Sequence, residues 1–108
     1  MRLIHLITAL FSILPISAAF AQSSTREGTI TNIYLSAGTN YGIRVYLVKD
    51  GVNQLSDCPG FWAYVNKEFD NYELYASSII TSYAQGKKVT LVISKDAGGY
   101  CRLGEFGF

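Results

Sequence analysis

The chain has 108 residues, with nine Lys and Arg against eight Asp and Glu, one histidine, two cysteines and one tryptophan. That length holds one domain. A near-neutral charge leaves no electrostatic footprint for a phosphate backbone or an anionic membrane surface, which argues against nucleic-acid binding.

The amino-terminal stretch reads as a signal peptide. Arg2 and His5 precede an apolar run from Leu6 to Ile16, and Ala19 and Ala21 stand at the small-residue positions of a signal-peptidase site. Thr8, Ser12, Pro15 and Ser17 interrupt the run, whereas a membrane anchor needs about 20 apolar residues. Residues 1–21 are therefore expected to be cleaved, with no stable membrane insertion afterwards. Residues 22–108 then form a single exported domain, periplasmic or secreted, in which acidic and basic residues balance. The histidine leaves with the leader. Cys58 and Cys101 remain, and in an oxidising compartment one disulfide between them is the natural pairing. It closes a loop of 44 residues, worth roughly 4 kcal/mol on the chain-entropy model. The turn at Cys58-Pro59-Gly60 lacks the second cysteine of a redox motif.

QSSTR, residues 22–26, is a polar leader expected to fray. Thr29–Leu35 is a first strand whose apolar positions Ile30, Ile33 and Leu35 break strict alternation, which predicts a bulge near Thr31 or Asn32. Ser36–Asn40 is a turn. From Tyr41 to Val48 the alternation is clean, with Ile43, Val45 and Leu47 on one face and Arg44, Tyr46 and Val48 on the other. Lys49-Asp50-Gly51 turns the chain. Phe61–Val65 reads as a third strand, with Phe61, Ala63 and Val65 opposite Trp62 and Tyr64. Asp70 and Glu73 have the spacing of a capping box. Tyr72, Tyr75, Ala76, Ile79, Ile80 and Tyr83 recur at helical steps, and Gly86 supplies a left-handed stop before Lys87 and Lys88. Val89, Leu91 and Ile93 mark a fourth strand. After a turn at residues 96–99, Tyr100–Phe108 makes a last strand that Gly104 and Gly107 allow to bend.

The order strand, strand, strand, helix, strand, strand predicts an all-β fold with one helix. It is the order of an OB-like five-stranded Greek-key barrel, with the helix plugging an open end. An open α+β sheet with the helix on one face shares the same elements.

Catalytic groups are scarce. Without histidine there is no imidazole base or imidazole metal ligand, and the cysteines are committed to the bridge, so no enzyme activity, cofactor or metal is expected. Glu68, Asp70 and Glu73 gather where a helix amino end favours acids. The glycines at 98, 99, 104 and 107 do not form a strand-to-helix phosphate loop. Aromatic residues are the informative excess, with eight tyrosines and the tryptophan. Tyr46, Trp62 and Tyr64 fall opposite the core positions of strands two and three, and Arg44 and Arg102 are expected to share that outer surface. Such amphipathic side chains suit sugar stacking or a subunit interface, and equally a sheet face covered with good strand formers.

EGTITNIYLSAGTNYGIRVYLVK (27–49), SDCPGFW (56–62) and SYAQGKKVTLVI (82–93) resemble segments of the binding subunits of the one-A-five-B bacterial toxins, in the subtilase cytotoxin and typhoid toxin branch. They are also similar to small exported bacterial proteins built on the same plan. The resemblance implies the barrel and a ring of five copies, a homo-pentamer. It departs from that branch in two places. Those subunits carry a cysteine in strand two, where this chain has Val45 and Leu47, so Cys58 must reach Cys101 instead. Their sialic-acid site uses a serine just before the strand-one glycine, where this chain has Glu27. A carboxylate there repels sialic acid, so sialoglycan recognition is not carried over. The function expected is an exported, non-catalytic module that binds a glycan or a protein. The alternative is a periplasmic inhibitor or envelope-stress protein that plugs an enzyme cleft with Ser36–Asn40 or Asp96–Gly99.

Overall fold

The computed structural model describes residues 22–108, and the signal-peptide reading of residues 1–21 lies outside them. The described residues are mostly β-sheet with one helix, in the order β1 (Ser24–Leu35), β2 (Ile43–Lys49), β3 (Val52–Asn53), a 3-10 turn (Pro59–Phe61), β4 (Ala63–Val65), α1 (Tyr72–Gln85), β5 (Lys88–Lys95) and β6 (Cys101–Gly107). Among the described residues no helix is long and apolar enough to cross a membrane.

The strands form one mixed six-stranded sheet in the order β1-β5-β6-β4-β2-β3, and β1 also pairs with β2. The hydrogen-bonded neighbours thus lead from β1 through β5, β6, β4 and β2 back to β1. All pairings are antiparallel except β4 with β6, which is parallel through Ala63 opposite Cys101 and Tyr64 opposite Arg102. Six strands stand where the sequence predicts five. The addition is β3, two residues that fold back on β2 after the left-handed turn at Asp50 and Gly51.

β1 is longer than expected because it serves two neighbours. Its first half, Ser24–Thr29, pairs with β5, and its second half, from Thr29, pairs with β2. The residues expected to fray are therefore laddered from Ser24 onward. No apolar pattern marks them; Arg26 is fixed instead by polar contacts, with Nη1 and Nη2 donating to the Asp57 carboxylate at 2.6 and 2.8 Å and Nη1 also to the Gln54 carbonyl at 2.7 Å. At the handover Gly28 lies so close to β2 that a Cβ would stand 2.7 Å from the Val48 carbonyl oxygen. The predicted bulge falls between Ile30 and Asn32. The extra residue turns Ile30 and Ile33 to the same side, which reconciles their odd spacing with one core.

The core comprises Ile30, Ile43, Val45, Leu47, Leu55, Ala63, Val65, Ile79, Val89, Leu91, Ile93 and Leu103, with the disulfide buried among them. Fully burying one such aliphatic side chain contributes about 1.5–3 kcal/mol. The alternating positions foreseen in β2 and β5 all point inward. Cys58 and Cys101 are bonded, with Cα atoms 5.6 Å apart, and join the loop before β4 to the start of β6.

Three local expectations are corrected. Phe61 is not a strand residue facing inward with Ala63 and Val65: it sits at φ 62° in the 3-10 turn and is 56% exposed. The capping box does not form, because the helix begins one residue later than Asp70 requires. Asn71 is the N-cap, left-handed at φ 61°, with no side-chain cap bond. The buried helix face carries Tyr72, Tyr75, Ala76, Ile79 and Ser82, while Ile80 and Tyr83 turn toward solvent. Gly86 does end the helix in the left-handed region, and the amides of Gly86 and Lys87 donate to the carbonyls of Tyr83 and Ser82.

Candidate functional site: an aromatic and arginine face

Cross-strand register builds a row on the outer face of the sheet. Tyr34 of β1 lies opposite Arg44 of β2, Arg44 opposite Tyr64 of β4, Tyr64 opposite Arg102 of β6, and Arg102 opposite Ser94 of β5. These positions alternate with core residues, so strand periodicity alone puts them outside.

Loops then add rings to the row. Tyr41, left-handed at φ 52°, brings its ring to 4.6 Å from Tyr64, 4.8 Å from Tyr100 and 5.5 Å from Trp62, centroid to centroid. Tyr100 stacks on Trp62 at 5.3 Å with 12° between the planes. Phe69, on the way into α1, lies 5.8 Å from Tyr64. The Arg44 guanidinium stands over the Trp62 ring at 4.9 Å and over Tyr34 at 5.4 Å, while Arg102 stands over Phe69 at 4.3 Å. Each aromatic or cation–π contact of this type contributes roughly 0.5–1.5 kcal/mol.

Polar bonds fix the edges. Arg44 donates from Nε to the Tyr41 carbonyl at 3.1 Å and from Nη2 to the Asn40 carbonyl at 3.2 Å. The Tyr64 hydroxyl donates to Asp96 Oδ2 at 2.6 Å, and the amides of Gly98 and Tyr100 donate to Asp96 Oδ1 at 2.9 Å each. Asp96 therefore shapes the turn that delivers Tyr100 and at the same time holds Tyr64. Burial, and then the bond to Asp96, push the Tyr64 hydroxyl well above the usual tyrosine range. On the other side of the face, the buried Asn66 accepts the Gly42 amide at 3.0 Å and steadies the Ser36–Asn40 turn.

The five residues singled out from the sequence do not all meet. Arg44, Trp62, Tyr64 and Arg102 share the cluster. Tyr46 lies further along β2, opposite Asn32, and makes none of these ring contacts. Trp62 and Tyr64 are on the outer face as expected but are covered, at 8% and 4% exposure. Arg102 and Tyr34 remain exposed, and Tyr41, Arg44, Phe69 and Tyr100 are half-buried. Sequence reading missed Tyr41, Phe69, Asp96 and Tyr100. The one usable signal was Asp96 opening a glycine-rich turn, a position where aspartate bonds the backbone two residues on.

Among the described residues the ion pairs are Arg26 with Asp57, and Glu27 with Lys49 and Lys88; Arg44 and Arg102 meet no carboxylate. A groove of about 300 Å³ lies elsewhere, along α1, between Leu74, Tyr75, Ser78 and Phe106. Among the described residues no group of three His, Cys, Asp or Glu side chains is placed to hold a metal ion. No protein-family model, curated protein or solved structure matches the chain.

Proposed function

We propose that the protein is an exported, non-catalytic binding module on an OB-like Greek-key barrel, and that its contact surface is the face around Arg44, Tyr64 and Arg102. The return of the strand pairings from β2 to β1, the parallel β4–β6 pair and the position of α1 between β4 and β5 support the barrel. The disulfide supports export. The observation that carries the binding role is the clustering of two arginines without carboxylate partners among six aromatic rings on one sheet face. Arginine and the large aromatics are the side chains that dominate contact energies at recognition surfaces.

A glycan array and a panel of immobilised proteins, probed with the protein and with Arg102→Ala, test this reading. Arg102 is the right control because it is exposed, whereas removing Trp62 would empty the cluster. Binding to either panel that weakens about tenfold in the variant is expected. Binding to neither, or binding indifferent to Arg102, sinks it.

A second reading, in which five copies form a ring, is favoured by the apolar side chains that α1 turns outward, with Leu74 66% and Ile80 52% exposed. Light scattering at micromolar concentration decides it: a monomer mass removes the ring and leaves the contact face untouched.

A further inference from the structure

The geometry points to the kind of partner this face takes: an acidic loop of another protein, whose carboxylates pair with Arg44 and Arg102 while its apolar atoms lie on Tyr41, Phe69 and Tyr100. The inference rests on the binding-module reading and names the ligand class for the same surface.

The two arginines flank Tyr64, one strand to either side, so their backbones are about 10 Å apart. Each guanidinium lies over rings, Arg44 with its Cζ 4.9 Å from the Trp62 centroid and 5.4 Å from that of Tyr34, Arg102 4.3 Å from that of Phe69. A guanidinium that contacts a ring through its face keeps its in-plane N–H groups for a carboxylate. Arg44 spends Nε and Nη2 on backbone carbonyls and keeps Nη1, and among the described residues the Arg102 guanidinium makes no hydrogen bond. Arg44 is thus held in place before any partner arrives, which lowers the ordering cost of binding, whereas the exposed Arg102 rests on its Phe69 contact.

Asp96, the carboxylate of the cluster, forms no ion pair with either of them. Both Asp96 oxygens are taken, one by the Tyr64 hydroxyl and the other by two backbone amides. Asp96 keeps its negative charge and offsets part of theirs, so the cluster holds two arginines against one carboxylate whose oxygens are already engaged, on a chain that is otherwise near neutral.

A protein loop fits better than a sugar. A sugar ring stacks on an open aromatic face, and Trp62, the broadest ring here, has Tyr100 stacked on it and Arg44 over it. What remains is a shelf of half-buried rings and guanidinium edges, bordered by the exposed Tyr34 and Leu35 at the end of β1. Tyr41, at this shelf, holds left-handed backbone, a conformation that costs a bulky side chain of order 1–3 kcal/mol and persists where a recognition surface is held in shape.

The test selects 12-residue peptides from a random display library on the purified, oxidised protein, then titrates the enriched peptides while reading the fluorescence of Trp62, the one tryptophan. Enriched peptides are expected to carry Asp or Glu beside apolar residues and to change that fluorescence. Their amide analogues, Asp→Asn and Glu→Gln, are expected to bind about tenfold more weakly. Arg102→Gln should weaken the parent peptides by a similar factor, Arg102→Lys by less, and Lys87→Gln, in the link between α1 and β5, not at all. The near-UV circular dichroism of Arg102→Gln should match the parent. Enrichment of peptides without carboxylates, amide analogues that bind as well, or no enrichment overturns the proposal. If a glycan array is then positive and sensitive to Arg102, the partner class falls and the binding module stands. If the array and the protein panel are silent as well, both fall.

Discussion

Ser82 lies in the last turn of α1 with 1% of its surface exposed, and its Oγ finds no hydrogen-bond partner among the described residues. A buried hydroxyl in that state costs about 1–3 kcal/mol, and serine is also a weaker helix former than alanine. Ser82→Ala should therefore raise stability by about 0.5–1.5 kcal/mol, read as a higher denaturant midpoint at unchanged slope; a lower midpoint would show that the hydroxyl is satisfied in solution. Gly60 behaves in the opposite way. It sits at φ 73°, and a Cβ there would fall on the Trp62 indole nitrogen. Gly60→Ala should cost about 2 kcal/mol or more and erase much of the near-UV circular dichroism of the ring cluster; an unchanged spectrum would mean the indole is not packed there. At this scale the sequence told which face Trp62, Tyr64, Arg44 and Arg102 occupy, because strand alternation decides that. It could not tell that Tyr41 and Tyr100, 59 residues apart, close over them, since that depends on a left-handed backbone at Tyr41 and on a turn wound around Asp96.

Among the elements, β2, β5, the bulge in β1 and the glycine stop of α1 were legible, each from a pattern within a few residues. The start of β1, the short β3 and the exposed Phe61 were not, because each is set by partners distant in sequence. The loop between β3 and the 3-10 turn shows how. Asp57 grips Arg26 of β1 through two hydrogen bonds, and Lys95 of β5 donates to the Asp57 carbonyl at 2.8 Å. The guanidinium beside it lowers the Asp57 carboxyl from 3.8 to about 2. Because the folded value lies below the unfolded one, the stabilisation is complete above about pH 4 and is lost as pH falls from about 4 to 2. The Asp57 side chain is 52% exposed, so solvent screening holds the contribution to about 1 kcal/mol or less. Asp57→Asn should flatten the acid limb of the stability profile between pH 4 and 2 and leave the slope above pH 5 unchanged. An acid limb as steep as the parent's would place the titrating group elsewhere.

For the molecule as a whole, the cystine is the main covalent constraint. It spans 43 positions of sequence, and the paired Cys58→Ala, Cys101→Ala variant should lose about 3–4 kcal/mol, read by denaturation against the oxidised parent; a loss under about 1 kcal/mol would show that the sheet holds its shape without it. The bridge sits beside the seam where β4 meets β6 through two residue pairs, Ala63 with Cys101 and Tyr64 with Arg102. The cysteine pairing could be read from the sequence by counting, but not the parallel seam, which joins segments on either side of α1. That seam also has a temporal consequence. Among the described residues β6 comes last in sequence, yet it takes its place between β4 and β5. A polypeptide emerging amino end first has all the other strands available while two of them still present bare flanks, each a template for another molecule. Chains that have not yet delivered residues 101–107 to the sheet should therefore be the species that aggregates collect, however stable the finished protein is.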